Sequence, residues 1–192
     1  MTKTDAESQS LRTALGGVAG PGTDADRAAL PEGFCGDIDM RIARDGTWFY
    51  QGTPIGRKPL VKLFATILSR DEAGDYWLTT PVERARIQVE DAPFLAVEMR
   101  VEGAGEGQRL SFRTNVDDWI DAGPEHAIVP RPRPQSGELA PYLHVRGHLD
   151  ALIARAVYYD LVALGVERED GGAEEFGVWS GGVFFSLAAG TG

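Results

Sequence analysis

One pattern occurs twice in this chain, and it limits the possible folds more than any other feature of the sequence. The pattern Ile-x-Arg-x5-Leu-x-Ala begins at Ile55 and again at Ile153. In both copies the apolar residues recur at helical spacing. A strand-like segment with a tryptophan follows each copy, at Trp77 and at Trp179. Order and spacing together predict an internal duplication, with two similar α+β units that face one another.

The chain around the first copy predicts a hairpin followed by a helix. Residues 39–42 alternate as a half-buried strand does, Asp45-Gly46 is typical of a type I′ turn, and residues 47–50 are rich in strand formers. From Pro59 to about Leu68 the apolar residues line one helical face. Because a helix of about ten residues is unstable alone, it must pack against the hairpin and the strands that follow.

Further strands are predicted over 76–79, 85–89, 94–101, 109–114 and 141–145. The glycine-rich stretch 103–107 resembles a phosphate-binding loop, but a strand pattern follows it, so it predicts a hairpin tip. The proline-rich stretch 129–134 predicts an extended connection, because proline has no N–H to donate. We therefore predict a loosely held N-terminal arm over 1–32, a first unit over 33–102 and a second unit over 103–192.

Composition limits the classes of function. A formal net charge of −10 would repel a phosphate backbone, so we expect no nucleic-acid partner. The single cysteine, Cys35, excludes an intramolecular disulfide and an all-cysteine metal site. No apolar run approaches the roughly 20 residues of a membrane helix, and the N-terminus lacks a hydrophobic signal segment. These features predict a cytoplasmic protein without a membrane span.

Three long segments carry a resemblance to a known family: Cys35 to Leu68, Ala85 to Phe94 and Gly177-Val178-Trp179-Ser180-Gly181-Gly182. Over roughly residues 33–187 the chain resembles bacterial domain-of-unknown-function family 1285. The resemblance implies two similar units, each a curved, mostly antiparallel sheet packed on one helix, with a cleft between the units as the ligand site. It carries no catalytic activity and implies ligand binding in a signalling or regulatory setting.

Cations at both predicted helix starts suggest an anion site. Arg57 and Lys58 precede the first helix and Arg155 precedes the second, where the helix dipole already contributes positive charge. The placement is unfavourable unless an anion offsets it, and we therefore expect these three residues to bind an acidic small molecule. The alternative is that acidic side chains of the protein itself neutralise them.

Aromatic residues extend this hypothesis. We assign Trp48 and Trp179 to the wall of the ligand cleft, since aromatic rings bury large areas and place their polar tips at edges. The alternatives are that the aromatic residues form the core, or that they form a cage for a cationic group.

Candidate catalytic and metal-binding residues give weaker signals. His144 and His148 would lie about 13 Å apart on one strand, too far for one ion unless Gly147 turns the chain. Ser180 lacks the spacing of a nucleophile elbow, and Cys35, with its acidic neighbours, is a poor nucleophile. Asp37 and Asp39 suit a solvated strand face better than an acid/base pair. We therefore assign no catalytic residue, no metal and no cofactor.

The sequence as a whole predicts a non-catalytic protein that binds a small anionic ligand and has a signalling or regulatory role. One alternative is an enzyme of unknown class that uses an arginine-lined cleft with an Asp or His as acid and base. Another is a protein–protein interaction module with an exposed sheet edge, which would allow a homodimer.

Overall fold

A computed structural model describes residues 35–81, 83–170 and 173–187, so the predicted N-terminal arm lies outside the described residues. The described chain divides into two compact units, one of residues 35–43 and 47–89 and the other of residues 44–46 and 90–187. Each unit contains a six-stranded sheet and one helix. The predicted α+β class with two similar units is confirmed.

The first unit is a six-stranded sheet with one helix, which connects the first three strands to the last three in the chain. Its elements are β1 (Cys35–Ile42), β2 (Trp48–Tyr50), β3 (Thr53–Pro54), α1 (Lys58–Thr66), β4 (Leu68–Arg70), β5 (Tyr76–Thr79) and β6 (Arg84–Val89). The strand order is β3-β2-β1-β6-β5-β4. Neighbours are antiparallel except for the central pair, β1 and β6, which is parallel.

The predicted hairpin at the start of this unit is confirmed, but its predicted turn type is wrong. β1 pairs with β2 so that Ile42 lies opposite Trp48. The loop is closed by the Ala43 N–H, which donates to the Thr47 carbonyl at 2.9 Å. A type I′ turn needs positive φ at both central residues, whereas only Gly46, at φ +79°, has it here. The loop is therefore longer than a two-residue turn.

Helix α1 agrees with the predicted helix in position and in its buried face. It begins at Lys58 with Pro59 in its first turn, and it buries Phe64 and Ala65. The Phe64 ring stacks on the ring of Trp48, with 6.0 Å between centroids. The helix ends at Thr66, because Leu68 already belongs to the next strand.

The second unit contains a second six-stranded sheet and an additional three-stranded sheet. Its elements are β7 (Phe94–Glu102), a 3-10 turn (Gly105–Gly107), β8 (Arg109–Thr114), β9 (Trp119–Asp121), β10 (Ile128–Pro132), β11 (Leu139–Arg146), β12 (Leu149–Ile153), α2 (Arg155–Ala163), β13 (Val166–Asp170), β14 (Ala173–Ser180) and β15 (Val183–Ser186). The larger sheet has the order β10-β11-β12-β7-β8-β9, with β12 and β7 parallel. Strands β13, β14 and β15 form the smaller sheet.

The division between the units lies at Val89, earlier than the predicted boundary after residue 102. The cause is β7, which the sequence analysis assigned to the first unit. β7 pairs with β8 and β12, which both follow it in the chain, and it therefore belongs to the second sheet. The stretch 103–107 connects β7 to the antiparallel β8, so the predicted hairpin tip is confirmed.

The proline-rich stretch is a strand and not the predicted extended connection. β10 pairs with β11 and places Pro130 opposite Pro141. The prolines are tolerated because β10 is an edge strand of its sheet, where half of the backbone N–H groups need no partner.

Helix α2 confirms the second copy of the repeat. It begins at Arg155 and buries Val157 and Leu161. Gly165, two residues after the helix, cannot carry a side chain, because a Cβ atom there would lie 2.0 Å from the Phe176 ring. Each helix has nine residues, so within the described ranges none has the roughly 20 residues needed to cross a membrane.

Candidate functional site

A groove at the start of α2 best matches the chemistry expected from the sequence. It lies in the second unit and has a volume of about 280 Å³. The first turns of α2, the start of β11, the end of β12 and the loop between β10 and β11 build it. Its lining residues are Arg133, Glu138, Leu139, Ala140, Pro141, Leu152, Ile153, Arg155, Tyr158 and Tyr159.

Local backbone structure positions the charged residues of the groove. The Arg133 N–H donates to the Glu138 carbonyl at 2.9 Å, and the Gly137 N–H donates to the Arg133 carbonyl at 3.0 Å. Gly137 has φ +68°, a left-handed conformation that favours glycine. These bonds close the loop and keep Arg133 and Glu138 near each other beside the start of β11.

Arg155 is the predicted site residue that lies in this groove. It is exposed, and its Nε–H donates to the Tyr159 hydroxyl at 2.9 Å, across one helical turn. That hydrogen bond raises the pKa of Arg155, and the negative charge of Glu138 raises it further. Arg155 is therefore a fixed cation whose side chain is held along the helix surface.

The second guanidinium of the groove is held from behind by a buried carboxylate. Arg133 Nε lies 3.7 Å from Asp91 Oδ2, and the Asp91 side chain is only 2% exposed. Tyr142 donates its hydroxyl to Asp91 Oδ1 at 2.5 Å. Burial raises the pKa of Tyr142, and the neighbouring Asp91 carboxylate adds to this. The phenol therefore stays a neutral donor, and Asp91 stays available to position Arg133.

The remaining walls of the groove are apolar or aromatic. Ala140 and Leu152 belong to a buried cluster with Tyr142 and also line the groove. Tyr158 and Tyr159 follow Arg155 by three and four positions, so all three lie on neighbouring parts of the helix surface. The groove therefore combines two guanidiniums and one carboxylate with an apolar floor.

The other predicted cations lie in the first unit. Arg57 immediately precedes α1 and Lys58 is its first residue, and both are exposed. The Arg57 carbonyl accepts the N–H groups of Leu60 and Val61, so this residue begins the helix through its backbone. The structure describes each unit by itself, and the predicted cleft between the units stays a prediction.

The two predicted tryptophans have different surroundings. Trp48 is 1% exposed in the core of the first unit, so its ring offers no face to a ligand there. Trp179 is half-buried on β14, where the Phe184 ring meets it edge-on at 5.3 Å and the Arg168 guanidinium lies 5.6 Å from its centroid. Neither tryptophan lines the groove.

Ser180, which follows Trp179 in the same motif, has a structural role. Its hydroxyl is fully buried, donates to the Ala122 carbonyl at 2.7 Å and accepts the Leu110 N–H at 2.9 Å. Gly181, at φ +58°, then begins the turn into β15. The serine connects the smaller sheet to β8 and to the residue that follows β9.

Two of the three histidines, His126 and His144, form a cluster with a carboxylate outside the groove. His144 Nδ1 lies 3.3 Å from Asp150 Oδ1, and Arg131 donates to the other Asp150 oxygen at 2.5 Å. His126 Nδ1 lies 3.1 Å from the His144 carbonyl, whereas His148 is exposed in the turn at Gly147. Over residues 35–81, 83–170 and 173–187, no three metal-ligating side chains converge.

A second, more polar hollow of about 410 Å³ lies in the first unit between β1 and β6. Arg86 crosses it and donates to both oxygens of Asp37, at 2.5 and 2.9 Å, and to Asp75 at 3.3 Å. The hydrogen bond from Arg86 lowers the pKa of Asp37. Two carboxylates already neutralise this guanidinium, so the hollow does not suit an anion. Asp37 and Asp39 are both exposed, as expected for a solvated strand face.

Sequence reasoning identified Arg155 but missed Arg133 and Glu138. The proline-rich stretch that contains Arg133 was assigned to a connection, and nothing local indicates that it meets the start of α2. The spacing of Tyr158 and Tyr159 from Arg155 is a signal that would have placed both rings beside it.

Comparisons with known proteins agree in one family. Residues 30–92 match the model described as domain of unknown function (DUF1285), N-terminal domain, and residues 93–187 match the one described as protein of unknown function (DUF1285), C-terminal domain. No curated protein matches the chain.

Two solved structures are similar. A DUF1285 family protein from Silicibacter pomeroyi DSS-3 is 48% identical, with 91% of this chain and 92% of that chain covered and a TM-score of 0.75. A DUF1285 family protein from Shewanella baltica OS155 is 30% identical, with 66% of this chain and 91% of that chain covered and a TM-score of 0.50.

Proposed function

We propose that this protein, which belongs to the DUF1285 family, binds a small molecule in the groove at the start of α2 through an acidic group of that molecule. Membership of the family assigns no activity to the chain. Binding involves no chemical step and serves a signalling or regulatory role. We also propose a cytoplasmic location, because a chain with a single cysteine suits a reducing compartment, where disulfides are rare.

The proposal is supported mainly by one observation: Arg133 and Arg155 line the same groove. Guanidiniums bind carboxylate and phosphate with paired, charge-assisted hydrogen bonds. Within the described residues, the hydrogen bond found for the Arg155 side chain is donated by its Nε–H, so a bound acid would pair with the terminal NH2 groups. The groove volume of about 280 Å³ lies near the lower end of small-molecule pockets, which run from roughly 300 to 1,000 Å³.

The lining of the groove favours binding over catalysis. An enzyme with general acid–base chemistry would bring an imidazole or a second carboxylate to the bound molecule. Glu138 is the one carboxylate among the lining residues, and none of them is a histidine. The His144–Asp150 pair lies outside that lining. These contacts support a binding site rather than the enzyme alternative.

Isothermal titration calorimetry with 4-methylpentanoate and with inorganic phosphate tests the proposal on the full chain. We expect Arg155→Gln to weaken binding of the preferred anion by roughly 10- to 100-fold, because a hydrogen bond to a charged group contributes about 1.5–3 kcal/mol. Arg109→Gln is the matched control, since Arg109 is exposed in the same unit and does not line the groove.

A second control compares the two helix starts. We expect Arg57→Gln to leave the affinity unchanged, because the groove is built within the second unit. A loss of affinity with Arg57→Gln would instead support the site that the sequence predicted at both helix starts. Wild-type affinity in Arg155→Gln, with circular dichroism showing an intact fold, would exclude the groove.

A further inference from the structure

We infer that the molecule bound in the α2 groove is a zwitterion, an α-amino acid with an apolar side chain, whose carboxylate binds Arg155 and whose ammonium binds Glu138. This inference rests on the proposed function and names the chemical class of its ligand. It uses the same groove, and it adds a role for the one acidic lining residue.

The balance of charge around the groove supports a ligand that carries both signs. Arg133 and Arg155 contribute two positive charges and Glu138 contributes one negative charge. Behind the groove, the buried Asp91 carboxylate already offsets Arg133 at 3.7 Å. A ligand with a carboxylate alone would therefore be attracted by Arg155 and repelled by Glu138. An ammonium group on the same molecule turns that repulsion into attraction.

The two oppositely charged residues approach the groove from different elements. Arg155 begins α2, whereas Glu138 lies at the end of the loop that leads into β11. Tyr159 has the larger effect in raising the pKa of Arg155, and the negative charge of Glu138 contributes further. A bound molecule with separate cationic and anionic groups therefore has a partner of opposite charge on each side of the groove.

The apolar part of such a ligand also has a matching surface. Leu139 is 47% exposed and Tyr159 is 59% exposed, which is unusual for large apolar side chains that line a groove. Leu152 and Ile153, which also line the groove, are buried. A branched or aromatic side chain would cover this surface. The volume of about 280 Å³ suits one amino acid better than a peptide.

Three molecules that share the isobutyl group of leucine test the inference by calorimetry on the full chain. They are L-leucine, 4-methylpentanoate, which lacks the amine, and 3-methylbutylamine, which lacks the carboxylate. We expect wild-type protein to bind L-leucine at least tenfold more tightly than either analogue. Glu138→Gln should bring L-leucine and 4-methylpentanoate to within about threefold of each other. Glu106→Gln, at an exposed acid on the 3-10 turn, is the matched control and should leave the tenfold preference unchanged.

The outcomes separate this inference from the proposed function. Equal wild-type affinity for L-leucine and 4-methylpentanoate, or an L-leucine affinity that Glu138→Gln does not change, would overturn recognition of the amine and leave recognition of the acid intact. If neither these three molecules nor inorganic phosphate bind, or if Arg155→Gln binds L-leucine like the wild type, both proposals are overturned. If phosphate alone binds, and binds more weakly to Arg155→Gln, only the amino-acid inference is overturned.

Discussion

The two large sheets have the same topology, but their helices start in different places. Each sheet consists of two antiparallel three-stranded meanders, joined where the first strand of one meander lies parallel to the last strand of the other. In the first unit α1 connects the meanders and begins after β3, an edge strand. In the second unit α2 begins after β12, a central strand. The same Ile-x-Arg pattern therefore begins a helix in two different environments.

This difference explains why Arg155 lines a groove at its helix start and Arg57 does not line that groove. Arg155 follows a strand that has neighbours on both sides, so β11 and the loop before it lie beside the helix start. Arg57 follows the two-residue edge strand β3. A helix start at the centre of a sheet can be surrounded by other elements, and that is where a ligand site can form.

The three strands that follow each helix also differ in the sheet to which they belong. Both helices are followed by a meander whose middle strand carries the tryptophan of the repeat, Trp77 on β5 and Trp179 on β14. In the first unit this meander completes the six-stranded sheet. In the second unit it forms a separate sheet of three strands, because β7 takes the central parallel position.

The largest expected effect on stability comes from substituting the two tryptophans that the sequence assigned to the ligand cleft. Trp48→Ala should lower the free energy of unfolding by about 3–5 kcal/mol, because it removes a fully buried ring from its stack with Phe64. Trp179→Ala should cost less, since that ring is half-buried. Guanidinium unfolding followed by far-UV circular dichroism measures both. Equal losses would break the distinction between a core and a surface tryptophan.

A smaller effect tests how the additional sheet of the second unit is held. Ser180→Ala should lower the free energy of unfolding by about 1–3 kcal/mol, because it leaves the Leu110 N–H and the Ala122 carbonyl without their buried partner. Ser111→Ala removes an exposed hydrogen bond to Asp121 and should change stability by less than about 0.5 kcal/mol. If the two variants were equally stable in urea, the attachment through Ser180 would be refuted.

The smallest effect concerns acid titration in the first unit. Arg86 lowers the pKa of Asp37, so the unfolded chain takes up this proton first as the pH falls below about 4. The associated stability is present above that pH and is lost as the pH falls through the folded pKa. We expect Arg86→Gln to raise the pKa of Asp37 toward its ordinary value, measured by NMR titration of the carboxyl carbon.

Asp71 in the same unit provides the control for this titration. The Trp77 indole N–H donates to Asp71 at 2.7 Å and lowers its pKa, with a smaller contribution from Arg84. Arg86→Gln should therefore leave the titration of Asp71 unchanged. An Asp37 carboxyl that titrates identically in the variant and the wild type would show that Arg86 does not hold it.

Local patterns predicted the elements well, and the errors have physical causes. The hairpin, both helices and the hairpin tip at 103–107 follow from turn residues and periodicity over a few positions. The strand over Ile128–Pro132 was missed because proline content argues against a strand, yet an edge position removes the objection. The boundary between the units was placed too late because the partners of β7 come after it in the chain.

The candidate site was predicted only in part for the same reason. Arg155 was recognised from its place before a helix, which is a local property. Arg133 and Glu138 meet it only because β10, β11 and β12 pair in one sheet. Trp48 and Trp179 are equally aromatic in the sequence, and only packing makes one of them a core residue.

The amino-acid sequence by itself determined both helices and several of the strands, that there are two similar units, and that a cation lies at the start of each helix. Tertiary structure decided which strand precedes each helix within its sheet, and hence that Arg155 lies beside a groove with a second guanidinium and a carboxylate. The physical reason is the distance along the chain over which each kind of interaction acts. Backbone preference and side-chain periodicity act over a few residues, whereas strand pairing and burial bring together residues that are distant in the chain.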